Sequence, residues 1–144
     1  MRNKLDELVL VKKIPVIGIC VGMQMMGSFS EEGTMQGLNW IDATIKKFDE
    51  TKIQQTTRLP HMGWNDVTPV KSNALFNGFE QDALFYFLHS YYFECNNPSD
   101  VLATSVYGDI FTCAANHENK YGIQFHPEKS HSCGERLLHN FAKL

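Results

Sequence analysis

The sequence predicts an α/β domain of three layers, with helices on both sides of a sheet. Three observations support this prediction: apolar runs of strand length recur along the chain, helical patterns occur near both ends, and residues 14–24 combine a strand, a sharp turn and a helix. With 144 residues and no linker, repeat or low-complexity segment, the chain has the organisation of one domain, residues 1–144.

The predicted helices begin with an amphipathic one at residues 3–13, where apolar side chains recur at helical spacing between charges. A second helix is expected after the sharp turn, at residues 21–29, and the polar turn at 30–33 ends it. The last helix is expected from Cys133 onward, because Ser132 and Glu135 have the spacing of a capping box.

The strands of the sheet are predicted from short apolar or alternating segments. They are Val16–Ile19 and residues 43–48, 53–59, 84–87, 101–106, 110–115 and 121–125. Residues 60–65 contain Pro, Gly and Asn, so they predict an irregular loop.

The composition excludes several classes of protein. A net charge of −3 without a basic run is not that of a nucleic-acid binder. No stretch has the length of a membrane span, and the first 13 residues are too charged for a signal peptide. The four cysteines form no C-x-x-C pair, which argues against a zinc knuckle or a disulfide scaffold and favours the reducing cytoplasm as the location.

The segment Gly18-Ile-Cys20-Val-Gly22 has the form of a nucleophile elbow, in which a strand, a sharp turn and a helix expose one reactive side chain. A Cβ at Gly18 or Gly22 is expected to crowd this turn. The N–H groups of the following helix are expected to lower the pKa of Cys20. A buried structural cysteine at a strand end is an equally good interpretation of this segment alone.

A base for such a nucleophile is predicted at the end of the last strand. His126 and Glu128 are two residues apart, so on an extended chain they project to the same side. Pro127 between them favours an extended His126. A carboxylate beside an imidazole accepts its Nδ1–H and fixes the tautomer. Alone, this pair is more typical of a strand-end histidine beside a surface glutamate, whereas its combination with the Gly-x-Cys-x-Gly segment favours catalysis.

Four motifs in order resemble the class I glutamine amidotransferases: residues 18–24 (GICVGMQ), 60–65 (PHMGWN), 89–91 (HSY) and 124–130 (QFHPEKS). Within that class they look like the HisH-type glutaminase subunits of imidazole glycerol phosphate synthase, and the PHMGWN segment separates these subunits from other members. The resemblance covers the whole chain. It implies a flavodoxin-like three-layer domain with a nucleophile elbow.

The resemblance also implies a mechanism. Cys20 attacks the side-chain amide carbon of glutamine, which gives a glutamyl thioester and releases ammonia. His126 transfers the proton, and Glu128 orients His126. The N–H of Val21 serves as one oxyanion donor, a kind of contact worth about 3–4 kcal/mol in acyl-transfer enzymes.

Further residues match the family positions that contact glutamine or the partner protein. The glutamine contacts are Gln24, Glu32, Ser90 and Tyr91. The residues expected to face the partner, a HisF-type (β/α)8-barrel synthase subunit that receives the ammonia in a heterodimer, are His61, Trp64 and Asn65. Each has a plainer interpretation: a helix-surface Gln24, a solvated turn at Glu32, a core Trp64 or a strand aromatic at Tyr91.

The chain also departs from the family pattern. It lacks the N-terminal strand–helix–strand section with the Pro-Gly-x-Gly oxyanion strand, so we expect a partial, N-terminally truncated domain. Such a domain has exposed apolar sheet edges and an incomplete oxyanion site, and the activity of the 144-residue chain alone is in question.

Residues 40–42 (WID) are similar to those of paralogues that supply ammonia for amidino-sugar formation in surface polysaccharide synthesis. This pathway is an alternative to histidine biosynthesis. Two further alternatives concern the whole chain: an inactive regulatory subunit, which the missing oxyanion strand favours, and a cysteine peptidase or γ-glutamyl hydrolase on the same fold. A metal site at His126 and His131 is set aside because no third ligand has suitable spacing.

Overall fold

A computed structural model describes residues 1–79 and 83–144 of the chain. Its α-helices are α1 (Arg2–Asp6), α2 (Val21–Met25) and α3 (His131–Ala142). Its strands are β1 (Val16–Ile19), β2 (Phe29–Ser30), β3 (Ala43–Lys47), β4 (His61–Pro69), β5 (Ala83–His89), β6 (Tyr91–Cys95), β7 (Val101–Tyr107), β8 (Asp109–His117) and β9 (Lys120–Ile123). A π-helical segment, Glu7–Val11, continues α1, and no helix in the described ranges is long and apolar enough to cross a membrane.

The strands form one mixed sheet in the order β2-β3-β6-β8-β7-β4-β5, with β9 beside β8 and β1 beside β9. The pairs β1–β9 and β2–β3 are parallel, and the other ladders are antiparallel. The β1–β9 register ends at Ile19 opposite Ile123, and the next N–H, that of Cys20, donates to the Ile123 carbonyl oxygen at 2.8 Å. The sheet thus brings Cys20 beside the segment that leads to His126.

Two hydrophobic clusters give the fold its layers. The first contains Leu137 of α3, and the second contains Met23 of α2 together with Val9. Ile17 of β1 packs against the first cluster, whereas its neighbour Val16 packs against the second. Because successive residues of a strand point to opposite faces, the clusters lie on opposite sides of β1. The sheet therefore separates α3 from α2, as the three-layer prediction requires.

The first helix, the elbow strand and four further predicted strands occur at or near their predicted places. The segments are α1 with its π-helical continuation, β1, β3, β7, β8 and β9, and β5 extends beyond its predicted ends at both sides. These segments have either a helical apolar stripe or a short apolar run, and both patterns depend on local sequence.

The elbow helix is shorter than predicted, because α2 ends at Met25 rather than at residue 29. Gly27 then passes so close to β3 that a Cβ on it would lie 2.5 Å from Ile45 Cδ1. The following residues form β2, which pairs with β3. Tertiary pairing thus overrides the helical pattern here.

Two predictions in the middle of the chain are wrong. Residues 53–59 form no strand, and only Ile53 among them is buried. Residues 60–65 are not a loop, because β4 starts at His61 and pairs with β5 from His61↔His89 to Val67↔Ala83. Gly63 lies within β4 at φ +125°, a conformation that favours glycine.

The predicted capping box is also wrong. Helix α3 begins at His131, and the preceding residue is Ser130. The Ser130 hydroxyl donates to the His126 carbonyl oxygen and accepts the N–H of Tyr86 at 3.0 Å. Ser130 therefore ties the segment that carries His126 to β5 instead of capping the helix.

Candidate active site

Cys20 occupies the turn between β1 and α2 with φ +54° and ψ −110°. A non-glycine residue at positive φ is strained, and this conformation is typical of a nucleophile elbow. A Cβ on Gly18 would lie 2.6 Å from the Gly22 carbonyl carbon, so the turn requires glycine there. The matching expectation for Gly22 is wrong, because a Cβ at Gly22 would meet no atom within 4 Å.

The Cys20 sulfur lies among polar groups from three segments. Gln124 Nε2 donates to Sγ at 3.6 Å, and Sγ lies 3.8 Å from the Leu88 carbonyl oxygen. The backbone N–H of Val21 also hydrogen-bonds the sulfur. The two donors, Gln124 Nε2 and the Val21 N–H, can stabilise a thiolate once it forms.

The resting state of this cysteine is nevertheless the thiol. Burial raises the pKa of Cys20, and the Glu128 charge raises it further, against the lowering effects of the Val21 N–H and Gln124. The expected net lowering of the pKa is wrong: the Val21 N–H at the start of α2 does lower it, but desolvation outweighs this effect. Cys20 therefore depends on a base to become nucleophilic.

His126 and Glu128 form the expected pair, with Nδ1 2.7 Å from the Glu128 carboxylate oxygen Oε1. The reason differs from the prediction: Pro127–Lys129 is a 3-10 turn, which brings the carboxylate back to the ring, rather than an extended strand. The predicted extended conformation of His126 itself is confirmed, with φ −101° and ψ 99°.

The carboxylate of this pair is ionised at neutral pH. Although burial pushes the pKa of Glu128 upward, hydrogen bonds from its own backbone N–H and from His126 hold that pKa below its ordinary value. An ionised carboxylate at Nδ1 holds the proton on that nitrogen, which leaves Nε2 free to accept a proton.

Backbone carbonyl groups of strand β5 contact both Cys20 and His126. Cys20 Sγ approaches the Leu88 carbonyl oxygen, and the His126 N–H donates to the Tyr86 carbonyl oxygen at 2.8 Å. Carbonyl groups two residues apart in a strand point the same way and lie about 7 Å apart. Cys20 and His126 thus contact carbonyl groups two residues apart on the same strand.

Gln124 is a site residue that sequence reasoning missed. Its side chain is completely buried, and its Oε1 accepts from Gln24 Nε2 at 3.1 Å. Gln24 Nε2 also donates to the Tyr91 carbonyl oxygen at 3.2 Å, so Gln24 is not an ordinary helix-surface residue. The two-residue spacing that relates His126 to Glu128 also relates Gln124 to His126, and this signal could have found it.

The residues expected to contact glutamine are only partly brought together. Val21, Gln24 and Glu32 line one cleft of about 210 Å³ beside the elbow. Ser90 and Tyr91 lie outside that lining, at the connection between β5 and β6. Their carbonyl groups accept hydrogen bonds within the fold, from the Phe48 N–H at 3.3 Å to Ser90 and from Gln24 to Tyr91.

The residues expected to face a partner separate into one exposed and two inward side chains. His61 is 4% exposed and stacks between the rings of Phe87 and Tyr107, so its side chain does not face outward. Asn65 also points inward, with Nδ2 3.2 Å from His61 Nε2. Trp64 is 47% exposed and therefore is not a core residue.

No group of three or more His, Cys, Asp or Glu side chains within residues 1–79 and 83–144 is arranged to hold a metal ion. All four cysteines are free thiols. The polar chemistry of the elbow region is therefore that of a thiol, an imidazole and a carboxylate with amide donors around them.

The chain is similar to known proteins over its whole length. The imidazole glycerol phosphate synthase subunit HisH of Leptospira interrogans is 51% identical over 144 residues, which are 100% of this chain and 71% of that protein. HisH 2 of Pseudomonas aeruginosa is 44% identical over 97% of this chain and 68% of its own length.

The fold has relatives among solved structures. A glutamine amidotransferase of Thermotoga maritima superposes with a TM-score of 0.64 at 22% identity, over 97% of this chain and 52% of that one. This likeness confirms the predicted fold class. The family description "Glutamine amidotransferase class-I" matches residues 2–144. The chain belongs to the class I glutamine amidotransferase family.

Proposed function

We propose that this chain is a glutaminase subunit that hydrolyses glutamine to glutamate and supplies the ammonia to a (β/α)8-barrel synthase subunit. The observation that supports this most directly is the elbow cysteine, Cys20, which shares one edge of β5 with the His126–Glu128 pair. In the proposed pathway, histidine biosynthesis, the partner makes imidazole glycerol phosphate and an aminoimidazole carboxamide ribotide.

The reaction starts with proton transfer. His126 Nε2 takes the Sγ proton of Cys20, and the sulfur attacks the side-chain amide carbon of glutamine. Negative charge develops on the amide oxygen, for which the Val21 N–H is one donor. His126 then returns the proton to the amide nitrogen, the C–N bond breaks, and ammonia leaves a glutamyl thioester on Cys20.

Hydrolysis of the thioester closes the cycle. His126 removes a proton from water, the hydroxide attacks the thioester carbon, and the C–S bond breaks with return of the proton to Sγ. Glu128 keeps the imidazole oriented in both halves and stabilises its charged form. One glutamine and one water thus give one glutamate and one ammonia.

Glutamine itself is placed by the cleft beside the elbow. Gln24 Nε2 donates to the Tyr91 carbonyl oxygen and to Gln124 Oε1. The Oε1 atom of Gln24 therefore remains to accept a hydrogen bond from the substrate α-ammonium group. Glu32 lines the same cleft and supplies a carboxylate for that cation. Ser90 and Tyr91 are assigned here to the wall formed by the β5–β6 connection.

The barrel partner is assigned to the outward face of the β4–β5 hairpin. This face presents exposed apolar side chains from both strands: Met62, Trp64, Leu84 and Leu88. Exposed apolar side chains that form a contiguous patch are typical of protein interfaces. The curated relatives carry the name of a synthase subunit, and this face is the surface we assign to the heterodimer contact.

The alternative pathway, amidino-sugar formation, was suggested by residues 40–42. Trp40 is 6% exposed and its Nε1 donates to the Asp6 carboxylate at 2.8 Å. Its contacts therefore serve packing within the subunit. The names of the relatives favour histidine biosynthesis as the acceptor pathway.

The test measures glutamate release from glutamine by the full chain mixed with a HisF-type barrel subunit and its ribonucleotide substrate. The chain with Cys20→Ser is expected to lose activity by at least about 10³-fold. The matched variant Cys133→Ser, on α3, is expected to stay fully active. Equal activity of the Cys20→Ser chain contradicts the proposal, and so does cleavage of γ-glutamyl peptides at full rate without the barrel.

A further inference from the structure

Two buried histidines, His61 and His89, lie outside the catalytic set and form an unusual polar pair in the core. They are 4% and 6% exposed, and His61 Nδ1 lies 2.9 Å from His89 Nε2. Phe87 and Phe111 pack against both rings. An apolar pair of the same shape would fill this space without leaving hydrogen-bonding groups to satisfy.

The hydrogen bonds of Asn65 determine where the protons of the histidine pair lie. Asn65 Oδ1 accepts the Asp66 N–H at 2.8 Å, and Asn65 Nδ2 donates to the Val106 carbonyl oxygen at 2.8 Å. These two bonds fix which end of the carboxamide carries the N–H groups. Asn65 Nδ2 therefore donates to His61 Nε2, and the His61 proton resides on Nδ1.

The hydrogen bond of His89 to Tyr91 requires the same donor direction independently. His89 Nδ1 lies 2.7 Å from the Tyr91 carbonyl oxygen, which can only accept. His89 thus carries its proton on Nδ1 and accepts at Nε2 from His61 Nδ1–H. Burial lowers the pKa of His61 to about 4 and that of His89 to about 3, so both rings are neutral at pH 7.

The Tyr91 carbonyl oxygen is shared with the candidate active site. It accepts from His89 Nδ1 and also from Gln24 Nε2. Gln24 Nε2 donates in addition to Gln124 Oε1, and Gln124 Nε2 donates to Cys20 Sγ. A continuous series of hydrogen bonds therefore connects Asn65, next to the exposed Trp64, with the nucleophile.

We infer that His61 and His89 are positioning residues of the glutaminase site, which hold the Tyr91 carbonyl so that Gln24 and Gln124 stay aligned on Cys20. This inference rests on the proposed function for its catalytic consequence. Its structural basis is the donor direction from Asn65 through His61 and His89 to the Tyr91 carbonyl oxygen, which the hydrogen bonds on both sides of the histidine pair require. A core histidine pair with a purely structural role requires no such connection to the sulfur.

The first measurement reads the tautomers directly in the unaltered full chain. Proton–nitrogen correlation spectra of the histidine rings are expected to show His61 and His89 protonated on Nδ1 alone at pH 7. A proton on Nε2 of either ring overturns the inference, because the series then cannot run from Asn65 to Tyr91. This result does not depend on any variant that might fail to fold.

The second measurement follows the alkylation rate of Cys20 by iodoacetamide, read by mass spectrometry of its peptide. His89→Leu removes the donor to Tyr91 and is expected to change this rate at least about threefold and to lower kcat/KM for glutamine about tenfold or more. His89→Asn places an N–H near the position of Nδ1 and is expected to restore both values to within about threefold. His139→Leu, on the exposed face of α3, is the matched control.

The results of these measurements distinguish a failure of the positioning role from a failure of the proposed function. If His89→Leu lowers the melting temperature while Cys20 alkylation stays at the starting rate, the pair is structural and the inference is overturned. If the unaltered chain with its partner hydrolyses no glutamine while alkylation responds as expected, the proposed function fails and the positioning role stands.

Discussion

The carboxamide of Gln124 lies between Gln24 and Cys20, with Nε2 3.6 Å from Sγ and Oε1 3.1 Å from Gln24 Nε2. A completely buried amide satisfies its polar groups within the site, and here one of its partners is the thiol of Cys20. Gln124 and Glu128 therefore act on the same thiol in opposite senses: the amide donor favours the thiolate, and the carboxylate disfavours it.

The thiol pKa is expected to respond to these two residues in opposite directions. Gln124→Leu removes a hydrogen bond that lowers the pKa of Cys20, and the pKa of this thiol is therefore expected to rise. Glu128→Gln removes a negative charge that raises the pKa of Cys20, and the pKa of this thiol is therefore expected to fall. The pH dependence of Cys20 alkylation measures both shifts, and movement of the two midpoints in the same direction would contradict this account.

Glu128→Gln is also expected to lower kcat at least about hundredfold, although the thiol becomes easier to ionise. The reason is that His126 loses the carboxylate that fixes its tautomer and stabilises its charged form. Steady-state glutamine hydrolysis with the barrel partner measures this loss. The exposed Glu135→Gln on α3 is the matched control, and an equal loss in both variants would show that the effect is not local.

The two elbow glycines are expected to differ in their tolerance of alanine. Gly18→Ala forces a Cβ to within 2.6 Å of the Gly22 backbone, which we expect to lower the free energy of unfolding by about 1–3 kcal/mol. Gly22→Ala meets open space inside a helix and is expected to leave stability unchanged or to raise it by up to about 1 kcal/mol. Urea unfolding of both variants checks this, and a larger loss at Gly22 would be the contrary result.

Stability is expected to fall in mild acid because of the buried histidines. Burial lowers the pKa of His61 to about 4 and that of His89 to about 3, whereas both groups titrate near 6.5 in the unfolded chain. Between these values the unfolded chain binds more protons, so the stabilisation is complete above about pH 6.5 and is lost as the pH falls. Each ring contributes a slope of up to about 1.4 kcal/mol per pH unit.

The measurement for this prediction is urea unfolding between pH 5 and pH 7. A chain with both His61→Phe and His89→Leu is expected to show a flatter dependence of unfolding free energy on pH than the unaltered chain. The exposed His139→Leu variant is expected to keep the original slope. Identical slopes for all three chains would rule out the buried pair as the source.

Trp64→Ala is expected to weaken binding of the barrel partner by about 2 kcal/mol or more, because large aromatic side chains dominate interface energies. Trp64 is 47% exposed on the outward face of β4, where its ring stacks on that of His131 with the ring centroids 5.3 Å apart. Titration calorimetry with the barrel subunit measures the change. Ile110→Ala, an exposed apolar change on β8, is expected to leave the affinity unchanged, and equal losses would place the interface elsewhere.

Much of the site could be predicted because its determinants are local. The elbow needs an apolar strand, a glycine at residue 18 and a cysteine at the turn, all within a few residues. His126 and Glu128 are two residues apart, so any of several turn geometries brings them into contact. The 3-10 turn is one of these geometries, and the contact was therefore predicted correctly from an incorrect conformation.

The remaining errors concern residues whose environment comes from distant parts of the chain. The pattern of residues 60–65 is that of a loop, and the segment becomes a strand because seven register pairs join β4 to β5. That pairing buries His61 against Phe87 and Tyr107. No local pattern distinguishes such a histidine from one that faces a partner.

The class of the fold, the elbow at Cys20 and the imidazole–carboxylate pair could be predicted from local patterns, because the apolar periodicity, the turn sterics and the contact between nearby residues all lie within short segments. In contrast, the contact of Gln124 with Cys20, the buried pair of His61 and His89 and the end of α2 at Met25 became evident from the folded chain alone. These features could not be predicted because hydrogen-bond partners and burial across a sheet depend on strand pairing between segments far apart in the chain.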